Sequence, residues 1–164
     1  MAGSIHVRDA VRTDLEFLAR GNEAMALETE HRTLDAHTVR RGVAVALDNA
    51  AHGRYFIAED DSGIAVGQLM VTYEWSDWRN GQFWWIQSVY VDPAARRGGV
   101  FHALYDHVDT LCRSTPGVIG LRLYVELENS AAQRVYERCG MRDGGYRLME
   151  VDNPGAIQDA AIGE

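Results

Sequence analysis

Arg96-Arg97-Gly98-Gly99 lies where an apolar run, Ser88-Val89-Tyr90-Val91, turns through Asp92-Pro93 into a stretch of helical periodicity that opens at Val100-Phe101. These residue types at such a junction make an anion site. Backbone N–H groups in the first turn of a helix lack intrahelical acceptors, and the helix dipole adds partial positive charge there. Glycines let an anion approach the main chain and the arginines add formal charge, so the segment is a candidate pyrophosphate cradle. A nucleotide-hydrolysing loop does not fit. It would end in Gly-Lys-Ser/Thr, whereas Gly99 is followed by Val100 and all sixteen basic residues of the chain are arginines. A dinucleotide fingerprint fits poorly too: only Gly98-Gly99 is present, past the middle of the chain.

A second segment runs Asn129-Ser130-Ala131-Ala132-Gln133-Arg134-Val135-Tyr136 and closes with Gly140-Met141. Asn129 suits a helix N-cap, and Gly140 sits where a C-terminal glycine belongs. Asn129 and Tyr136 are two helical turns apart and share a face. Together the two segments resemble the GNAT family of N-acetyltransferases. The first is similar to that family's coenzyme A site, a strand followed by Arg/Gln-x-x-Gly-x-Gly/Ala and a helix, with Phe101 standing where the family carries Gly or Ala. The second is similar to its Asn-x-x-Ala-x-x-x-Tyr-x-x-x-Gly-Phe segment. The resemblance spans about residues 4–151, and residues 1–151 are read as one domain.

The resemblance implies acetyl-CoA as cofactor and transfer of its acetyl group to a primary amine by direct attack in a ternary complex. Arg96, Arg97, Gly98, Gly99, Val100 and Phe101 would then hold the pyrophosphate. Val89, Tyr90 and Val91 would meet the pantetheine arm through their backbone, as an added strand does. Val89 N–H would be the oxyanion donor and Tyr136 the acid that protonates the departing thiolate. Ala132 falls in the same cofactor-binding set; Asn129 would bond the cofactor arm or only cap its helix. The implied fold is α/β (α+β): a mixed, mostly antiparallel central sheet with helices on both faces, in which strands at 83–91 and 118–125 are parallel neighbours that splay apart. Two rival readings keep the cradle: a non-catalytic acyl-CoA sensor, and a transferase for another acyl group.

The general base is less legible. Where some family members carry a glutamate, this chain has Trp85. If Asn80-Gly81 forms a two-residue turn, Glu74 lies opposite Gln87, on the face of Trp85 and Val89. Glu74 is then a candidate base, against the reading of an exposed hairpin charge paired with an arginine. Glu28 and Glu30, placed in a loop between the first two helices, are candidates for contact with the acceptor, against a solvated loop. Trp75, beside Asp77 and Trp78, could hold a cation with its aromatic face, pack over the sheet, or mark a homodimer interface. His102 and His107 do not have the i, i+4 spacing of a metal pair, and no metal is indicated. Cys112 and Cys139 fall in helical segments, where reduced thiols are the default.

The elements that must position these groups follow from periodicity. Ile5–Arg8 reads as a strand. A helix capped by Thr13 or Asp14 runs to about Leu27, and one capped by Asp35 runs to about Asn49. Strands are expected over Tyr55–Glu59, Ile64–Glu74 and Phe83–Val91, with a turn at Asp60–Gly63. Then come a helix over Gly99–Arg113, a strand over Val118–Val125, a helix over Asn129–Cys139 and a last strand over Tyr146–Val151. An acidic, mobile tail is expected over 152–164. The chain has 164 residues, 46% of them apolar, enough for a core and with no run of transmembrane length. A net charge of −8 disfavours nucleic acid and anionic membranes and suits a cationic acceptor, a small molecule or a peptide amine. The N-terminus lacks the apolar stretch of a signal peptide, which favours a cytoplasmic location.

Overall fold

The computed structural model describes residues 4–153, and the chain divides into two compact units, 1–123 and 124–164. In the first, the order is β1 (His6–Asp9), α1 (Leu15–Glu30), α2 (Ala36–Asp48), β2 (Arg54–Glu59), β3 (Ala65–Ser76), β4 (Gly81–Val91), α3 (Val100–Ser114) and β5 (Val118–Leu123). The strands form one five-stranded sheet in sequence order, antiparallel from β1 to β4 and parallel between β4 and β5. The expected mixed sheet is present, and the chain order is the expected one as far as β5.

β2 shows why the sheet is covered on both faces. Its run Tyr55-Phe56-Ile57-Ala58 is aromatic and β-branched and is buried throughout. Tyr55 and Ile57 join Leu18 of α1 and Val43 and Ala46 of α2 in one core cluster. Phe56 points the other way, where its ring meets the edge of His107 on α3 at 5.4 Å. Phe56, Leu69 and Leu104 are fully buried, each contributing about 1.5–3 kcal/mol over the exposed state. A polar clamp crosses the first layer. Gln68 Nε2 on β3 donates to Leu18 O (3.1 Å) and Asn22 Oδ1 (3.0 Å) of α1, and Asn22 Nδ2 donates to the Tyr55 hydroxyl (3.2 Å). This fixes α1 over β3.

Asp35 caps α2 as expected, accepting from Thr38 N–H at 2.7 Å. Asp14 does something else. Its carboxylate accepts from Val11 N–H (2.7 Å) across a 3-10 turn and from both terminal nitrogens of Arg8 (2.7 and 2.9 Å). Burial opposes its ionisation, but Arg8 and the Val11 N–H outweigh that and hold the carboxyl below the usual range.

The β3–β4 turn departs from expectation. Ser76 pairs with Gly81 and Glu74 with Phe83, so four residues, Asp77 to Asn80, form the loop. Asn80 alone takes the left-handed conformation, at φ 45°, above a turn in which Asn80 N–H donates to Asp77 O. Gly81 enters the strand instead, because a Cβ there would lie 2.3 Å from Ile119 Cγ2 on β5. Further along, a β-bulge falls between Met70 and Val71, opposite Ile86 and Ser88. The extra residue is Gln87, and every side chain beyond it changes face.

In the second unit, α4 (Ser130–Arg138) is the one regular element among the described residues. Gly140, at φ 84°, follows it, and Met141 N–H returns to Tyr136 O at 3.0 Å. β5 stops at Leu123 rather than Val125, and the strand expected over Tyr146–Val151 is not formed. No strand among the described residues pairs with that segment, and Tyr146, Met149 and Val151 are exposed. Alternation alone does not make a strand without a ladder partner. From residue 154 onward the expected tail lies outside the described residues.

Candidate active site

β4 carries the site because it loses a neighbour part-way along. Its pairing with β5 runs from Gln82↔Val118 to Ile86↔Leu123 and ends there, whereas its pairing with β3 continues to Gly67↔Val91. Residues 87–91 therefore have a sheet partner on one side. Asp92 N–H donates to Val66 O at 2.9 Å, and the alternation of an antiparallel ladder turns the peptide groups of Tyr90 toward β3 and those of Val89 and Val91 outward. Arg96 Nε reaches Val91 O at 3.1 Å, consistent with that direction.

The strand runs into a 3-10 turn (Pro93–Ala95), with Asp92 accepting from Ala94 N–H at 2.9 Å, and then into α3. Arg97 and Gly99 both have positive φ, 67° and 84°, which folds the main chain back on itself before the helix. Gly99 is the N-cap, with nothing within 4 Å of where a Cβ would stand, so its backbone conformation, not crowding, calls for glycine there. The helical ladder opens with Ala103 N–H donating to Gly99 O, so the N–H groups of Val100 to His102 precede it. The Phe101 ring stacks with Tyr105 one turn further along α3, centroids 6.1 Å apart, which carries the bulky side chain away from the loop. Helix N-terminus, left-handed turn, bare glycines and two arginines fit a pyrophosphate. The outward peptide groups of Val89 and Val91 fit an amide-bearing arm.

Other candidates fall in different places. Glu28 and Glu30 are in the last turn of α1, not in a loop, because the helix continues to a left-handed cap at His31 (φ 53°). Glu30 is exposed, while Glu28 Oε2 accepts from a terminal nitrogen of Arg96 at 2.6 Å. Tyr90 lies beside this pair. Burial first, then the Asp92 and Glu28 charges, push its phenol above the usual value.

Glu74 faces Phe83 rather than Gln87. It shares the α1 and α2 face with Trp85 but not with Val89, which the bulge has turned to the α3 face. Its two oxygens are occupied, one by the Trp85 indole N–H and the other by Arg122 at 2.8 Å. Arg122 in turn lies 3.6 Å above the Phe83 ring. Sequence reasoning missed Arg122, although a lone arginine inside the apolar run Val118–Leu123 was a visible signal.

Trp75 is on the opposite face from Glu74. It lines a cleft of about 300 Å³ with Tyr73, Trp84 and Pro116, so it does not join Glu28 and Glu30. In the second unit, Asn129 Oδ1 caps α4 by accepting from Ala132 N–H at 3.0 Å. Burial, and then the nearby Cys139, push the Tyr136 phenol upward.

The acetyltransferase (GNAT) family profile matches residues 18–141. The chain belongs to this family. A solved structure described as a possible acetyltransferase from Clostridium difficile 630 is 40% identical to this GNAT protein. Its TM-score is 0.86, and the match covers 91% of this chain and 97% of that one. A probable acetyltransferase of known structure is 22% identical, with a TM-score of 0.78 over 90% of this chain and 99% of that one. The ribosomal-protein-alanine N-acetyltransferase of Brucella melitensis biovar Abortus 2308 shares the fold at 14% identity, with a TM-score of 0.71 over 92% of this chain and 100% of that one. No curated protein matches the sequence. Among the described residues of this GNAT acetyltransferase, no helix is long and apolar enough to cross a membrane.

Proposed function

We propose that this GNAT protein uses acetyl-CoA to acetylate a primary amine, by direct attack of the amine in a ternary complex. The observation that carries the reading is the half-open β4, whose outward Val89 and Val91 peptide groups lead straight into the Arg96–Gly99 turn at the start of α3. Acetyl-CoA would supply an activated acetyl thioester there.

The protein's part is to bind, orient and move one proton. The α3 amides and Arg97 hold the pyrophosphate, and the open edge of β4 aligns the arm. Val89 N–H donates to the carbonyl oxygen as negative charge grows on it. The neutral amine nitrogen would bond to the carbonyl carbon as the carbon–sulfur bond breaks. By the family resemblance the Tyr136 hydroxyl would give its proton to the departing sulfur, and the proton shed by the nitrogen as it becomes an amide would restore the phenol through water. A phenol raised above its ordinary value of about 10 is protonated throughout the neutral range. Cys112 is a poor nucleophile, because burial, then Asp109, push its thiol up, away from thiolate. Direct transfer therefore suits this chain better than a Cys112-bound acyl group. Glu74, committed to Trp85 and Arg122, suits a structural role better than that of a base. The charge of −8 supports a cationic acceptor, a small amine or a peptide amine.

Thiol release from acetyl-CoA across polyamines, aminoglycosides, amino acids and short peptides, read against an amine-free blank, tests the reaction. Release above the blank with one acceptor class is expected; release at the blank rate throughout would favour the acyl-CoA sensor. Tyr136→Phe is expected to lower turnover about 100-fold with acetyl-CoA affinity within twofold. In the unmodified enzyme the alkaline fall in rate should come only above about pH 10, as the donor loses its proton. Near-normal turnover in Tyr136→Phe would remove the tyrosine from the chemistry.

A further inference from the structure

Arg96 and Arg97 are neighbours in the cradle but are held differently. Arg97 takes the left-handed backbone conformation and makes no ion pair among the described residues. Arg96 is engaged twice, through Nε to Val91 O at 3.1 Å and through a terminal nitrogen to Glu28 Oε2 at 2.6 Å. The guanidinium thus lies across the open edge of β4, over one of the two peptide groups that face outward. Its bonded terminal nitrogen reaches the last turn of α1. Both ends of the ion pair are a little under half exposed, 45% for Arg96 and 43% for Glu28. The pair is therefore weak enough to exchange for a doubly charged ligand.

We infer that Glu28 is a positioning residue that restrains Arg96 on the edge of β4, so that cofactor binding must draw the guanidinium away from both Glu28 and Val91 O. This rests on the acetyl-CoA reading and extends it. The carboxylate competes with the pyrophosphate for the same cation, and Arg96 competes with the cofactor arm for the same carbonyl. Glu28 belongs to α1, so the restraint also ties the end of that helix to the β4–α3 turn. Loading the cofactor releases the tie.

The test is calorimetric titration of the full chain with coenzyme A at low and moderate salt, for the unmodified protein, Glu28→Gln, Arg96→Ala and the double variant. Glu28→Gln is expected to bind about 3–10-fold more tightly, and the gain should shrink with added salt. In the Arg96→Ala background the same substitution should change affinity less than twofold, because the restrained group is gone. Hydrogen exchange supplies a second readout. Coenzyme A should speed exchange at the amides of residues 28–32 in the unmodified protein and leave it unchanged in Glu28→Gln. Unchanged or weaker binding by Glu28→Gln, or an equal gain with and without Arg96, would overturn the inference while leaving the cofactor assignment intact. Absence of binding by the unmodified protein would overturn the cofactor assignment and this inference with it.

Discussion

From Gln82 to Ile86, β4 is flanked by β3 on one side and β5 on the other; from Gln87 to Val91 it has β3 alone among the described residues. The first half is closed by side chains. Phe83 lies under Arg122, and Glu74 is shared between Arg122 and Trp85. The second half offers main chain, with outward peptide groups at Val89 and Val91 and a turn that presents helix amides. One strand therefore does two jobs, and the bulge at Gln87 is the boundary between them. Charge is internally paired where the strand is closed. Where it is open, Arg97 makes no ion pair among the described residues and Arg96 is held by an exchangeable partner.

Substitutions at the two ends should separate affinity from stability. The largest effect is expected from Gly99→Val. A β-branched residue at φ 84° costs on the order of 1–3 kcal/mol and tilts the first amides of α3. Acetyl-CoA binding, measured by calorimetry, should weaken tenfold or more. If affinity held, the turn would not be the cradle. Next comes Arg122→Met at the closed end, which removes the cation over Phe83 and leaves Glu74 with Trp85. Thermal denaturation should show a loss of about 1 kcal/mol, with cofactor affinity within twofold. A large loss of affinity there would mean that the two halves of β4 are coupled. The smallest effect is expected from Glu74→Gln: under about 1 kcal/mol of stability, turnover within twofold and an unchanged pH–rate profile. A tenfold fall in turnover with a shifted acid limb would return Glu74 to the chemistry.

Element identity was legible because it depends on local pattern. The Asp35 cap, the apolar run of β2 and the glycine-arginine junction before α3 each stand where periodicity and residue type put them. Register was not legible. Asn80-Gly81 looks like a two-residue turn, yet Gly81 serves close packing against Ile119, and the loop lengthens to four residues. The Gln87 bulge leaves no sequence signal either, and it separates Trp85 from Val89 onto opposite faces. The strand expected over Tyr146–Val151 fails for a related reason: alternation records what a strand would bury, not whether a partner strand is there.

By itself the sequence determined the family, the helix that follows β4, the anion-binding character of Arg96–Gly99, and the caps of α2 and α4. These depend on residues within one or two turns of one another, where backbone sterics and local hydrogen bonds suffice. Only the tertiary structure decided which charges meet. Glu28 and Arg96 are 68 positions apart, and Glu74 and Arg122 are 48 apart. Their pairing depends on how far α1 runs, where β5 stops and which way a bulge turns a face. Those are properties of packed elements, and no short stretch of the chain encodes them.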